Sequence, residues 1–261
     1  MCPRCQELRG VELNEHKEDV SRIPEEYNIG FNGGYNGTIL ILDFKENIIL
    51  GKSRIFMCKE FYNNLTPVSC FGIVVIRKGI RKYFDTLSHD SQYVSECVNF
   101  ILKKLKIDKK EKLKIWSDGC KGHFKNKNMI SNIFEIFKRY QFIEYNFFPS
   151  YHGKFLCDSR FSVISRKLLH IQNASAKKIN NVSELAIYLN NKNSRNAETV
   201  VYQRELTNPL KVVIPIKNVT NIQKYWFNKN KLKIKDFDGN IETIKIDQRV
   251  EKNKIIEKNS K

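Results

Sequence analysis

Apolar positions set the reading of this chain, because between residues 38 and 172 their period switches repeatedly between continuous runs and helical spacing. Thr38 to Asp43 is an unbroken apolar run that closes on a carboxylate, the pattern of a strand buried on both faces of a sheet. Further strands are predicted near Ile48 to Leu50 and Ser69 to Ile76. After His89 and Asp90, the residues Val94, Cys97, Val98, Ile101, Leu102 and Leu105 recur at helical spacing, and lysine pairs near the end suit the helix dipole. Leu113 to Trp116 reads as the next strand. Asn128 to Tyr140 then reads as a helix with Ile130, Ile133, Phe134 and Phe137 inward, Ile143 to Phe148 as a strand, and Asp158 to about Ile171 as a helix.

Three strands followed by helix, strand, helix, strand and helix predict an α/β fold. Its mixed sheet starts antiparallel, gains parallel strands and carries helices on both faces. Functional groups in such sheets collect at the carboxyl ends of the parallel strands, where Asp43 and Asp118 both fall. Before this core, residues 1–30 are charged, with a short helix predicted from Glu12 to Val20 and a glycine loop at Gly30, Gly33, Gly34 and Gly37. After it, residues 173–250 form a small, basic, β-rich C-terminal module. That module has a helix at Val182 to Leu189 and strands at Lys211 to Ile216, Lys231 to Phe237 and Glu242 to Ile246, the last two joined by a turn at Asp238 and Gly239. Residues 251–261 read as a frayed tail.

Composition narrows the partners. The 261 residues carry 46 Lys and Arg against 28 Asp and Glu, a formal charge of +18 that favours a polyanion such as nucleic acid. No run of about 18 apolar residues is present to span a bilayer, and no apolar signal segment opens the chain, so an intracellular, non-secreted protein is expected. The seven cysteines form an odd set, mostly isolated in apolar stretches, which excludes a secreted disulfide framework.

At these residues the chain resembles a known group. Asp43-Phe44-Lys45-Glu46-Asn47, His89-Asp90, Ser117-Asp118-Gly119 with Phe124-Lys125-Asn126, and Phe147-Phe148 followed by His152-Gly153-Lys154 and Cys157-Asp158 look like transposon-derived proteins related to DDE-type transposases and integrases. The resemblance covers about residues 38 to 170. It implies a ribonuclease-H-like core at 38–172, built on a five-stranded mixed sheet, that cleaves and joins DNA phosphodiester bonds. It also implies a nuclear or otherwise intracellular location and self-association. Where the family places Gly directly after the third carboxylate, this chain has Ser159 and Arg160.

The chemistry agrees with the resemblance. Phosphodiester cleavage and strand transfer use two divalent ions about 4 Å apart, and hard carboxylate oxygens suit Mg²⁺ or Mn²⁺. Asp43, Asp118 and Asp158 are the expected catalytic ligands, with Asp43 bridging. The plainer alternatives are a turn at Asp43, a strand-ending turn at Asp118-Gly119 and a helix N-cap at Asp158. Glu46 and Asp90 are secondary candidates. His123, Lys125, Asn126, His152 and Lys154 are expected to contact nucleic acid, the lysines alternatively belonging to a general basic face. An inactive, nucleic-acid-binding relic is the competing function.

Cys2 and Cys5 have the spacing of half a tetrahedral zinc site, and His16 on the following helix would be a third ligand. The resemblance implies a zinc-binding N-terminal region of this kind. No fourth ligand is evident and the chain begins at the motif itself, so residues 1–30 read as a partial, truncated zinc module. Cys157 near His152 fits an activated thiol in type but lacks an orienting third group. Trp116 reads as core. Trp226, set among lysines, suits stacking on bases or packing of the C-terminal module.

Overall fold

The computed structural model describes residues 35–50, 67–87, 91–137, 140, 142–148, 156–174, 179–192, 195–201, 216, 219, 222–228, 231–236 and 239–245. The helix expected at 12–20, the loop at 30–34, the final tail and most of the strand expected at 211–216 lie outside these residues.

An antiparallel meander opens the fold: β1 (Gly37–Ile49), β2 (Pro67–Arg77) and β3 (Ile80–Leu87). Lys78 and Gly79 close the β2–β3 hairpin at φ of 50° and 72°, the left-handed pair that a two-residue hairpin turn needs. The sequence reading misses β3 because only its second half, Phe84 to Leu87, is continuously buried. It also splits β1, whose end at Ile48 and Ile49 follows a register shift after Lys45. A bulge of this kind bends a strand without ending it.

Helices and parallel strands then alternate as α1 (Ser91–Lys104), β4 (Lys112–Ser117), α2 (Lys127–Phe137), β5 (Ile143–Phe147) and α3 (Leu156–Ala174). β4 lies parallel to β1, and β5 parallel to β4. The chain continues through α4 (Val182–Asn191), β6 (Ala197–Val200), β7 (Ile222–Asn228), β8 (Lys231–Asp236) and β9 (Ile241–Lys245). Asn181 caps α4 by accepting from the Glu184 N–H at 2.9 Å.

The α/β class is as expected, but the sheet is not limited to five strands. All nine described strands form one sheet in the order β6-β3-β2-β1-β4-β5-β7-β8-β9. The reason lies at the edges, since β3 and β5 would otherwise leave apolar strands with unpaired backbone. β6 adds parallel to β3, and β7 adds antiparallel to β5. Through Ile222, Tyr225 and Phe227, β7 joins the same core cluster as Leu40, Ile115 and Ile133.

The period of two in β1 builds both cores. Leu40 and Leu42 face α1 and α2, packing with Val94, Ile101, Ile130 and Ile133. Ile39 and Ile41 face the other way, toward Cys157, Phe161 and Ile164 of α3 and Leu185 and Leu189 of α4. Among the described residues no helix is long and apolar enough to cross a membrane.

Candidate acidic site

Asp43 follows Ile41 by two residues, so it shares the face of the sheet on which α3 lies. β4 runs parallel beside it with Ser117 opposite Leu42. Asp118 therefore leaves the end of β4 next to Asp43, which lies within β1 where the pairing with β4 stops. Asp158 lies in the first turn of α3.

Three contacts hold the start of α3 over this edge. Cys157 Sγ lies 3.6 Å from the carbonyl oxygen of Ile41 and 3.9 Å from that of Gly72. Gly72 stands opposite Asp43 in the β1–β2 ladder, and a β-carbon there would sit 2.8 Å from two ring carbons of Phe161. Glycine is what lets the helix come this close. Arg160, itself buried, donates from Nε to Asp85 Oδ1 at 3.3 Å and Oδ2 at 3.0 Å, and from Nη2 to Oδ2. Asp85 is opposite Gly72 on β3 and Thr199 is opposite Asp85 on β6. The Thr199 hydroxyl donates to Asp85 at 3.5 Å. Asp43, Gly72, Asp85 and Thr199 thus form one row across four strands, with α3 lying over it.

The charges of the two other expected carboxylates are felt at Asp43. Burial pushes the Asp43 carboxyl up to about 7; its hydrogen bond from the Phe44 N–H opposes this, while the charges of Asp158 and then Asp118 add to the rise. That N–H donates to Asp43 Oδ1 at 2.8 Å. Asp158 is half-exposed and Asp118 is exposed, so the group opens outward from Asp43. Among the described residues, no group of three or more His, Cys, Asp or Glu side chains closes to the spacing of a held metal ion. The donor set nevertheless suits a hard divalent cation: it is all carboxylate oxygen, and a cation among the three charges would reverse the repulsion that raises Asp43.

The loop from Asp118 to Asn126 is fastened to the residue after Asp43. The Phe44 ring lies 4.4 Å from His123, 5.6 Å from Phe124 and 4.9 Å from Phe71, centroid to centroid. Cys120 Sγ is 3.7 Å from His123 Nδ1. Lys125 is buried with its ammonium 5.0 Å from the centroid of Phe147. Burial lowers its pKa to about 8, the charge of Lys121 adding to the fall and that of Asp118 resisting it. Asn126 accepts from the Met129 N–H at 2.8 Å and donates to the carbonyls of Lys121 and Gly122. It is therefore the N-cap of α2 and the clasp of the loop.

Of the other expected site residues, His152, Lys154, Asp90 and the zinc candidates Cys2, Cys5 and His16 lie outside the described residues, as does the side chain of Glu46. Cys157 is buried, and burial together with the charges of Asp43 and Asp158 pushes its thiol far up. It anchors α3 and is not an activated nucleophile. Trp116 is core, stacked on Phe148 at 5.3 Å. The sequence reading misses Gly72, Asp85 and Arg160. The available signal was a carboxylate inside Tyr83-Phe84-Asp85-Thr86-Leu87 and an arginine within an apolar helix face, which demand each other once both are buried.

The sequence pattern of a family described as a domain of unknown function (DUF8701) matches residues 37–237, from the first residue of β1 to just past β8. No curated protein matches the chain at a significant level.

Proposed function

We propose, for a chain that belongs to the DUF8701 family, a transposase-like DNA nuclease and strand-transfer enzyme of ribonuclease-H-like architecture, with Asp43, Asp118 and Asp158 as ligands for Mg²⁺ or Mn²⁺. The observation that carries this reading is the Asp43 carboxyl, raised by burial and by two further carboxylates that reach it from β4 and α3. A perturbed carboxylate beside the carboxyl end of a parallel strand, here that of β4, marks a functional-site candidate. The run β3-β2-β1-β4-β5, antiparallel first and parallel after, supports the architectural half of the reading. A charge of +18 supports DNA as the substrate.

Bound divalent ions supply activation of the attacking hydroxyl and stabilisation of the leaving oxygen. The chain supplies the frame for them. Asp43, on the central strand, is the central ligand; Asp158 from α3 and the exposed Asp118 complete the set. Asp85 and Arg160 fix the helix that carries Asp158. Lys125 and His123 lie beside Asp118 and Phe44, where they favour a phosphate at the rim.

A second reading, an inactive DNA-binding relic, is favoured by one observation: the described carboxylates do not close to metal-holding spacing. Incubating the protein with supercoiled plasmid and linear duplex in Mg²⁺ or Mn²⁺, against a chelator control, separates the possibilities. Joined products lost in Asp43→Asn and Asp118→Asn support the proposal. Hydrolysis without joining indicates a nuclease, and salt-sensitive binding without any cleavage selects the relic.

A further inference from the structure

The face of the sheet that carries Asp43 continues past β4 into a basic surface. Ladder pairing shows this directly, because paired residues share a face: Ile41 is opposite Trp116, Trp116 opposite Asn146, Asn146 opposite Lys224, and Lys224 opposite Lys235. On β8, Lys231, Lys233 and Lys235 all point to this side, while Leu232 and Ile234 enter the opposite core. Lys231 and Lys233 are exposed and Lys235 is half-exposed.

The arrangement is costly for the isolated protein. Lys235 stands opposite Lys224, and like charges directly opposite in a sheet destabilise it. The remaining ladder partners of the three lysines are Asn228, Lys245, Trp226, Thr243 and Ile241, so none is acidic. The carboxylate on this face of β5, Glu144, is engaged with Lys224 at 2.7 Å and Lys114 at 3.7 Å. Edge protection does not explain the pattern, since β9 and not β8 is the outer strand, and charges that guard against strand addition belong on the edge. Alternate residues along a strand place one ammonium roughly every 6.7 Å, a row of positive charge that runs along β8 in the direction of β1, four strands away in the same sheet.

We propose that the β8 lysine row is a docking surface for the phosphate backbone of duplex DNA, with Lys224 over the Trp226 ring closing its inner side. The ammonium of Lys224 lies 5.1 Å from the Trp226 ring centroid, which holds that lysine down on the sheet and leaves the β8 row as the raised contact. This rests on the DNA-directed reading of the acidic site, but it requires no metal and no cleavage.

The test is fluorescence anisotropy with a short labelled duplex in chelator, over a range of salt concentrations. It compares the full chain with the triple variant Lys231→Gln, Lys233→Gln, Lys235→Gln. A control variant carries the same charge change on exposed lysines elsewhere: Lys103→Gln, Lys109→Gln, Lys110→Gln. Each phosphate contact contributes about 0.9 to the salt slope, so the β8 variant should lose roughly two to three from that slope and on the order of a hundredfold in affinity near 0.1 M salt. The control should change little. Equal losses in both variants would reduce the effect to net charge and overturn the proposal. So would undiminished duplex binding by the β8 variant, or a loss seen with anionic vesicles and not with duplex. Circular dichroism melts of both variants confirm folding. Because no divalent ion is present, failure here leaves the acidic-site reading standing, and failure of metal-dependent cleavage leaves this one standing.

Discussion

Gly72 on β2 and Phe161 on α3 meet where no side chain fits between them, a β-carbon at 72 lying 2.8 Å from the ring. This contact sets the height of α3 above the sheet and with it the position of Asp158, three residues earlier in the same helix. Gly72→Ala should therefore destabilise the fold by about 1–3 kcal/mol, the usual cost of overpacking, and weaken divalent-ion binding as well. Adding Phe161→Leu should recover part of both losses. Urea unfolding and Mn²⁺ titration of the single and double variants check this, and full additivity of the two substitutions would count against the contact.

Asp85 and Arg160 form a buried pair, their side chains 0% and 7% exposed. Removing one partner leaves the other charge stranded, so Asp85→Ala should cost about 3–5 kcal/mol. The double variant Asp85→Leu, Arg160→Met should be much closer to the parent. Chemical denaturation of the two variants measures the difference; a double variant as unstable as Asp85→Ala would show that the pair does more than neutralise itself.

Asp43 ties stability to pH. Its carboxyl is raised from 3.8 to about 7 in the fold, so between these values the folded protein holds a proton that the unfolded chain has released. Stability therefore falls as pH rises from about 4 to 7 and stays lowered above that. In divalent-free buffer, Asp43→Asn should be more stable than the parent at pH 8 by on the order of 1–3 kcal/mol, with no advantage at pH 4. Mn²⁺ at pH 8 should stabilise the parent and not the variant. Urea midpoints across pH provide the check, and a pH-independent difference would contradict the raised carboxyl of Asp43.

Lys125 should behave in a related way. Its pKa falls from 10.5 to about 8 on folding, so between these values the unfolded chain holds the extra proton and stability rises with pH. Below pH 8 the charged form is buried at a cost. Lys125→Met should therefore be at least as stable as the parent at pH 7 while binding duplex DNA more weakly. Paired melting and anisotropy measurements test this, and a large loss of stability would show that the Phe147 contact outweighs burial.

Much of the frame was legible because β1, α1, β4, α2 and α3 bury strongly periodic residues; Asp118 follows the end of β4 as expected, whereas β1 runs on to Ile49, so Asp43 lies inside its strand, where the pairing with β4 stops. β3 was hidden by Arg81 and Lys82 at its exposed end, β6 by its four-residue length, and β7 by Lys224 between its apolar positions. Periodicity describes one element at a time, whereas sheet extension depends on which edge remains to be paired. The same limit concealed the row Asp43, Gly72, Asp85 and Thr199. Its members come from four strands and have no relation in spacing, so only the register brings them together.

The central claim is that Asp43, Asp118 and Asp158 share a divalent cation. Calorimetric titration of the full chain with Mn²⁺ at pH 8, beside Asp43→Asn, Asp118→Asn and Asp158→Asn and with and without duplex DNA, tests it most directly. The account predicts saturable binding by the parent that each substitution abolishes or greatly weakens. Binding curves indistinguishable between the parent and all three variants, with duplex present, would contradict it.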